Sequence, residues 1–257
     1  MTSRIDTKRH PLADHSYVDR CRRQLGADGA LVLGGFFTPE GIREVVAECG
    51  HRQDEAYYAN STHNVYLTPP DPSLPAAHPF NRQVASSKGL LADDELPAES
   101  ALRDVYDSEL FRSFLCGVLG IDALYPYDDR LSSINVHFAS AGQELGWHFD
   151  NSSFAVTMLL RRPEAGGVFE YVRNARVAAS GDMGFERVAQ VLDGLQEPER
   201  LEIAAGDLVL FRGRDALHRV TPTEGDVTRM LVVFAYNDEP GVALSESALE
   251  TFYGRTA

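Results

Sequence analysis

Three features predict a mainly β chain with a helical N-terminal part, arranged as a double-stranded β-helix (jelly roll) buttressed by helices. Short apolar or alternating stretches crowd residues 126–240, helical periodicity is concentrated before residue 125, and turn residues separate the strand candidates at short intervals. At 257 residues, with 44% hydrophobic and 24% charged, the chain has the size and composition of one soluble globular domain. A single domain over 1–257 is expected: a mainly helical part over 1–125, a jelly-roll core over 126–240 and a C-terminal tail over 241–257.

Residues Asp14 to Leu25 have a helical period that ends at Gly26, and Gly29 to Leu33 form a short strand candidate. Thr38-Pro39 supplies a cap followed by proline in the first turn, so a helix starts there and ends near Gly50. The stretch 59–88 is rich in proline, asparagine and histidine, with Pro69-Pro70-Asp71-Pro72 at its centre; it reads as a long loop, either a lid or wall facing substrate or a disordered segment. Ser100 caps one long amphipathic helix through Leu119, a support packed on a sheet. Strands are expected at 131–139, 146–150, 154–160, 167–172, 200–203, 207–211, 218–221 and 229–236, with a helix over 183–195. The expected core is a cupin-like jelly roll.

Within that frame lies Trp147-His148-Phe149-Asp150, answered later by Leu217-His218-Arg219-Val220. Residues two apart on a strand point the same way, so His148 and Asp150 project together, and His218 from a neighbouring strand completes a set of two imidazoles and one carboxylate. That set covers one face of an octahedron and leaves three positions open, the usual ligand set of non-haem Fe(II) oxygenases. Arg229 heads the apolar run Met230 to Tyr236. A cation beside buried hydrophobes needs an anion, and a guanidinium fork matches a carboxylate.

These residues resemble the Fe(II)/2-oxoglutarate-dependent oxygenase superfamily. The resemblance implies His148, Asp150 and His218 as iron ligands, Arg229 as the anchor for the far carboxylate of 2-oxoglutarate, and O2 as the oxidant. Leu145-Gly-Trp-His-Phe-Asp-Asn151, Gly166-Gly-Val-Phe-Glu-Tyr171 and Arg176 are similar to the subgroup of halogenases that act on free amino acids, over roughly 78–240. Those halogenases carry glycine or alanine where this chain has Asp150, and the vacancy is what admits chloride. With the carboxylate retained, hydroxylation is the expected outcome, on a small metabolite and foremost a free amino acid. The same iron site could drive desaturation, cyclisation or epoxidation. A different class, a jelly-roll protein that merely holds a metal, is argued against by Arg229, since structural zinc sites are closed and four-coordinate.

Other candidates have two readings each. Asn135 and His137 alternate on the strand before the first ligand, so they either touch 2-oxoglutarate or substrate, or are satisfied core groups. Thr157 supports the co-substrate or is an ordinary β-branched strand residue. Asn151 bonds substrate or forms a local turn. Arg176, and less directly Arg82, clamps a substrate carboxylate or makes a surface ion pair. Trp147 is expected in the core, facing away from the metal with Phe149.

The net charge of −14 disfavours nucleic acid and anionic membrane as partners. Cys21, Cys49 and Cys116 are odd in number and far apart, which suggests reduced thiols. No apolar core for a signal peptide lies in Met1–His10 and no apolar stretch reaches transmembrane length, so a cytoplasmic location is expected. Oligomeric state is left open.

Overall fold

The computed structural model describes residues 4–257; residues 1–3, part of the stretch read for a signal peptide, lie outside it. In chain order the first elements are α1 (His15–Asp28), β1 (Ala30–Leu33), α2 (Pro39–Gly50), β2 (Tyr57–Asn64), β3 (Gln83–Leu91), α3 (Ala101–Tyr106) and α4 (Glu109–Leu119). Then come β4 (Ile134–Ala139), β5 (Leu145–His148), β6 (Ala155–Arg161), β7 (Ala165–Gly166), β8 (Phe169–Val172) and α5 (Phe185–Leu192). The last are β9 (Glu199–Leu201), β10 (Leu208–Phe211), β11 (Leu217–Val220), β12 (Thr223–Glu224), β13 (Arg229–Phe234) and α6 (Glu246–Tyr253).

The strands pair antiparallel in the order β1-β10-β6-β13-β4-β3-β5-β11-β8-β9, with β2 added to β3 and β7 paired with β12 apart. The ladder curls because β3 belongs to both walls: Gly89–Leu91 pair with β4, and Ser86 pairs with Leu145 of β5. This is the jelly roll that the strand pattern predicts.

Alternation sorts each strand into an outer and an inner set. Ile134, Val136 and Phe138 of β4, Val156, Met158 and Leu160 of β6, and Met230, Val232 and Phe234 of β13 form the large core with the buried residues of α1 to α4. A second core on the opposite wall joins Trp147, Phe149, Val172 and Leu217 to Val188 and Val191 of α5. The residues between these outward ones, among them Asn135, His137, His148, Thr157, His218 and Arg229, are left facing the interior.

The helix boundaries follow the capping residues. Thr38 accepts from Gly41 N as expected, with proline in the first turn of α2. The first helix does not stop at Gly26 but runs to Asp28, where Gly29 at φ 70° takes the left-handed conformation and closes onto Leu25 O. The single helix expected over 100–119 is two, because Ser108 caps a new start by accepting from Phe111 N.

Two further differences shape the interior. The stretch 59–88, expected as a loop, is a long connection only over 65–82; its two ends form a β-hairpin in which Tyr57 pairs with Leu90 and Asn64 with Gln83. Its strands are mostly exposed at β2, so they carry no apolar alternation to read. Proline and asparagine confine the turn to the connection, which Asn81 braces by bonding both N and O of Asp71. The expected tail over 241–257 contains α6, whose Leu249 and Tyr253 cover Leu90, Ala92 and Leu131 at the base of the barrel. No helix among the described residues is long and apolar enough to cross a membrane.

Candidate metal centre

His148 at the end of β5 and His218 on β11 are directly paired across the ladder, and Asp150 follows β5 by two residues. Their rings lie 4.1 Å apart between centroids. Asp150 Oδ1 is 3.6 Å from His148 Nε2 and 3.4 Å from His218 Nε2, so three donor atoms face one point. These are the residues among those described whose ligand atoms all fall within 4.8 Å of one another as a metal-holding group.

Both histidines are fixed by the same local device. His148 Nδ1 donates to Gly146 O at 2.8 Å, and His218 Nδ1 donates to Ala216 O at 2.9 Å. A carbonyl can only accept, so each Nδ1 carries a proton and each Nε2 is the nitrogen turned inward. Burial, then the neighbouring His218, lowers the His148 pKa to about 3, so it is neutral and ready to ligate. Burial alone would push the Asp150 carboxyl up, but His218, His148 and Lys88 together hold it down to about 2. The second oxygen of Asp150 is buried without a partner. A His148 ring held neutral by burial, a second ring nitrogen from His218, an ionised carboxylate and an orphaned carboxylate oxygen fit a hard-to-borderline dication such as Fe(II).

The surroundings hold this geometry from behind. Arg219 points away from the site, stacks over Trp147 at 4.7 Å and pairs with Glu170 at 2.7 Å; Arg200 takes the other oxygen of Glu170 at 3.0 Å. Trp147 lies in the core as expected. Gly146 and Gly213 are close approaches: an added Cβ would meet Ala85 O at 2.4 Å and Asp150 Oδ2 at 1.8 Å respectively. At the left-handed Gly167, a Cβ would meet Arg229 Cδ at 2.9 Å, so the glycine pair of the 166–171 run leaves passage for that side chain.

Arg229 is buried, opposite Ala139 of β4, and its Nε has no hydrogen-bond partner. Burial lowers its pKa to about 10, which leaves it charged at neutral pH. A buried guanidinium without an anion is costly, and its fork has the shape to take a carboxylate. On the same inner face lie His137 and Lys88, whose Nζ is 3.4 Å from His137 Nδ1. Thr157 faces inward opposite Val233 and Val209.

The other sequence candidates sit elsewhere. Asn135 is inward but spent: its Nδ2 donates to Ser132 O at 2.7 Å and its Oδ1 accepts from Tyr253 OH at 2.6 Å. Arg176 is behind the centre, 4.2 Å over the Phe149 ring, with Nε donating to Arg214 O and Nη2 to Asp150 O. Arg82 ties the hairpin connection to α5 through Asp193 at 2.6 Å. Asn151 is exposed, and its carbonyl accepts from Arg214. Sequence reasoning missed Lys88, because the hairpin that carries it read as loop. It also missed His63, which stands edge-on to His148 at 6.4 Å while bonding Ser86 Oγ.

A family model described as Halogenase D matches residues 92–252. No curated protein matches the chain in sequence. Among solved structures, the non-heme alpha ketoglutarate dependent carbocyclase SnoK from nogalamycin biosynthesis superposes with a TM-score of 0.61 at 12% identity, over 93% of this chain and 92% of that one. A 2OG-Fe(II) oxygenase family oxidoreductase from Burkholderia pseudomallei gives 0.56 at 14% identity, over 88% and 92%. A prolyl-4-hydroxylase from Pseudomonas putida gives 0.52 at 14% identity, over 84% and 96%. At these identities the likeness is one of fold.

Proposed function

The chain belongs to the Halogenase D family, and we propose that it works as an Fe(II)- and 2-oxoglutarate-dependent hydroxylase. Its substrate in this reading is a small metabolite with an unactivated C–H bond, foremost a free amino acid. The whole of 1–257 is taken as one catalytic domain, since α1 to α4 pack on the strands that carry Arg229 and His137. The observation that carries the reading is the carboxylate of Asp150, within 3.6 Å of both ligating nitrogens, where a halogenase needs a vacancy.

When bound, Fe(II) and 2-oxoglutarate supply oxygen activation coupled to decarboxylation of the co-substrate to succinate and carbon dioxide. His148, Asp150 and His218 would hold the metal, and a set of three protein ligands would leave positions for the co-substrate and oxygen. Arg229 would take the distal carboxylate through its unpartnered Nε and fork and so orient the co-substrate. The inward Val209 and Phe211 wall the interior with apolar surface and keep water away from the reacting groups. A protein that merely stores a metal has no use for an unpaired buried arginine.

The test is a succinate-release screen of the iron-loaded enzyme across free amino acids, with mass spectrometry of the products. Gain of one oxygen is expected, with and without chloride in the buffer. A chlorinated product would overturn the hydroxylase assignment, and no succinate with any small metabolite would overturn the oxygenase itself.

A further inference from the structure

Lys8 and Lys88 are the only lysines in the chain, and every other basic position is arginine or histidine. Lys88 is also the one turned into the barrel. Gly89 pairs with Phe138 and Ala139 pairs with Arg229, so Lys88 and Arg229 flank the small Ala139 from either side. The charge of Lys88 acts on Asp150 and His148 of the metal centre and on His137 and Arg229. Its strand β3 lies between β4, which pairs with Arg229, and β5, which carries His148, so Lys88 projects inward between the two walls. No carboxylate pairs with it among the described residues: its single hydrogen bond is to His137 Nδ1. An ammonium can only donate, so His137 accepts through Nδ1 and carries its proton on Nε2, which has no partner among the described residues. Burial, with the nearby cations, keeps His137 neutral.

We propose that Lys88 and His137 form a carboxylate-binding position of their own, between Arg229 and the metal centre. It rests on the reading of the protein as a 2-oxoglutarate-dependent enzyme. Two ammonium protons and one imidazole N–H stand free on the inner face, a donor set suited to one carboxylate. Arg229 alone satisfies the distal end of the co-substrate and leaves this ammonium unmatched, which is costly in a water-poor interior. The carboxylate is either the one at the metal end of 2-oxoglutarate or the one on the substrate.

Binding to the Zn(II)-loaded full chain, which turns nothing over, separates these sources. Calorimetry with 2-oxoglutarate, then of the 2-oxoglutarate-loaded protein with the common free L-amino acids and their primary amides, is compared for wild type, Lys88→Gln, Lys88→Met and Lys88→Arg. A tenfold or larger loss of 2-oxoglutarate affinity in the Gln and Met variants, recovered in Arg, assigns the co-substrate. Unchanged 2-oxoglutarate binding with loss of amino-acid binding, and no preference of the variants for acid over amide, assigns the substrate. Gln and Met variants that bind both ligands as wild type does overturn the proposal while the enzymatic reading stands. A wild type that binds no 2-oxoglutarate overturns that reading and the proposal with it. The wild-type chain offers a check that needs no folded variant: with [15N]lysine, its two side-chain signals are separable, and the Lys88 signal is expected to move on ligand addition while that of Lys8 stays still. A Lys88 signal that ignores both ligand classes also overturns the assignment.

Discussion

Gly213 shows how closely the centre is fitted around Asp150. A methyl group there would lie 1.8 Å from the carboxylate oxygen, while Gly213 O also accepts from Asp150 N at 3.0 Å. Gly213→Ala is therefore expected to swing the carboxylate aside and weaken Fe(II) binding at least tenfold, with an unchanged far-ultraviolet spectrum; metal affinity equal to wild type would show that the carboxylate is held by something else. Arg229→Ala should raise the 2-oxoglutarate requirement steeply and leave iron binding nearly intact, because the guanidinium touches no ligand. Unchanged co-substrate affinity would remove the anchor. Asp150→Gly opens a position at the metal, and a chloride-dependent change in the spectrum of the anaerobic iron complex is expected; no chloride effect would mean that the carboxylate alone does not decide the reaction. The ligand residues were legible because their spacing is chemistry written along a strand. Gly213 and Lys88 were not, because their roles depend on which distant backbone or side chain comes near, and no spacing encodes that.

Elements were legible wherever a cap or an apolar period announced them, as in α2 with Thr38 and Pro39 or β13 with its unbroken hydrophobic run. The hairpin of β2 and β3 and the helix α6 were not, since each is held by the rest of the molecule more than by its own pattern. In α6 only Leu249 and Tyr253 turn inward, and the phenol reaches across to Asn135 Oδ1 at 2.6 Å. Asn135 consequently reads as a strut for the base of the barrel. Tyr253→Phe strands that buried oxygen and should lower stability by about 1–3 kcal/mol, the cost of an unsatisfied buried acceptor. The denaturation midpoint reports it, and an undiminished midpoint would mean that α6 contributes no such support.

For the molecule as a whole, buried histidines set the response to acid. Burial lowers the pKa of His10, of His137 and of His148, the last to about 3. In the unfolded chain each titrates near 6.5, so below about pH 6.5 the unfolded state binds protons that the folded state refuses. The stability these rings contribute is thus fully present above that value and is lost as the pH falls through their folded pKa values, for His148 toward about 3 at up to about 1.4 kcal/mol per pH unit. Asp150, held down to about 2, adds to the loss once the pH falls below about 4. Chemical denaturation of the metal-free protein between pH 7.5 and 4.5 should show a declining midpoint, with a shallower decline for His137→Gln; a flat or rising midpoint would contradict the buried, neutral state of these rings. The jelly roll itself was readable in the count and alternation of strands, but its curl was not, because it depends on β3 pairing with both walls.

His148, Asp150 and His218 are expected to bind one Fe(II) and to leave adjacent positions free for 2-oxoglutarate, aligned by Arg229. Anaerobic titration of the iron-loaded protein with 2-oxoglutarate addresses it without any substrate. A weak visible charge-transfer band that saturates at one equivalent, and that is lost in His218→Ala, is the expected result. Tight iron binding with no band at any 2-oxoglutarate concentration would contradict it.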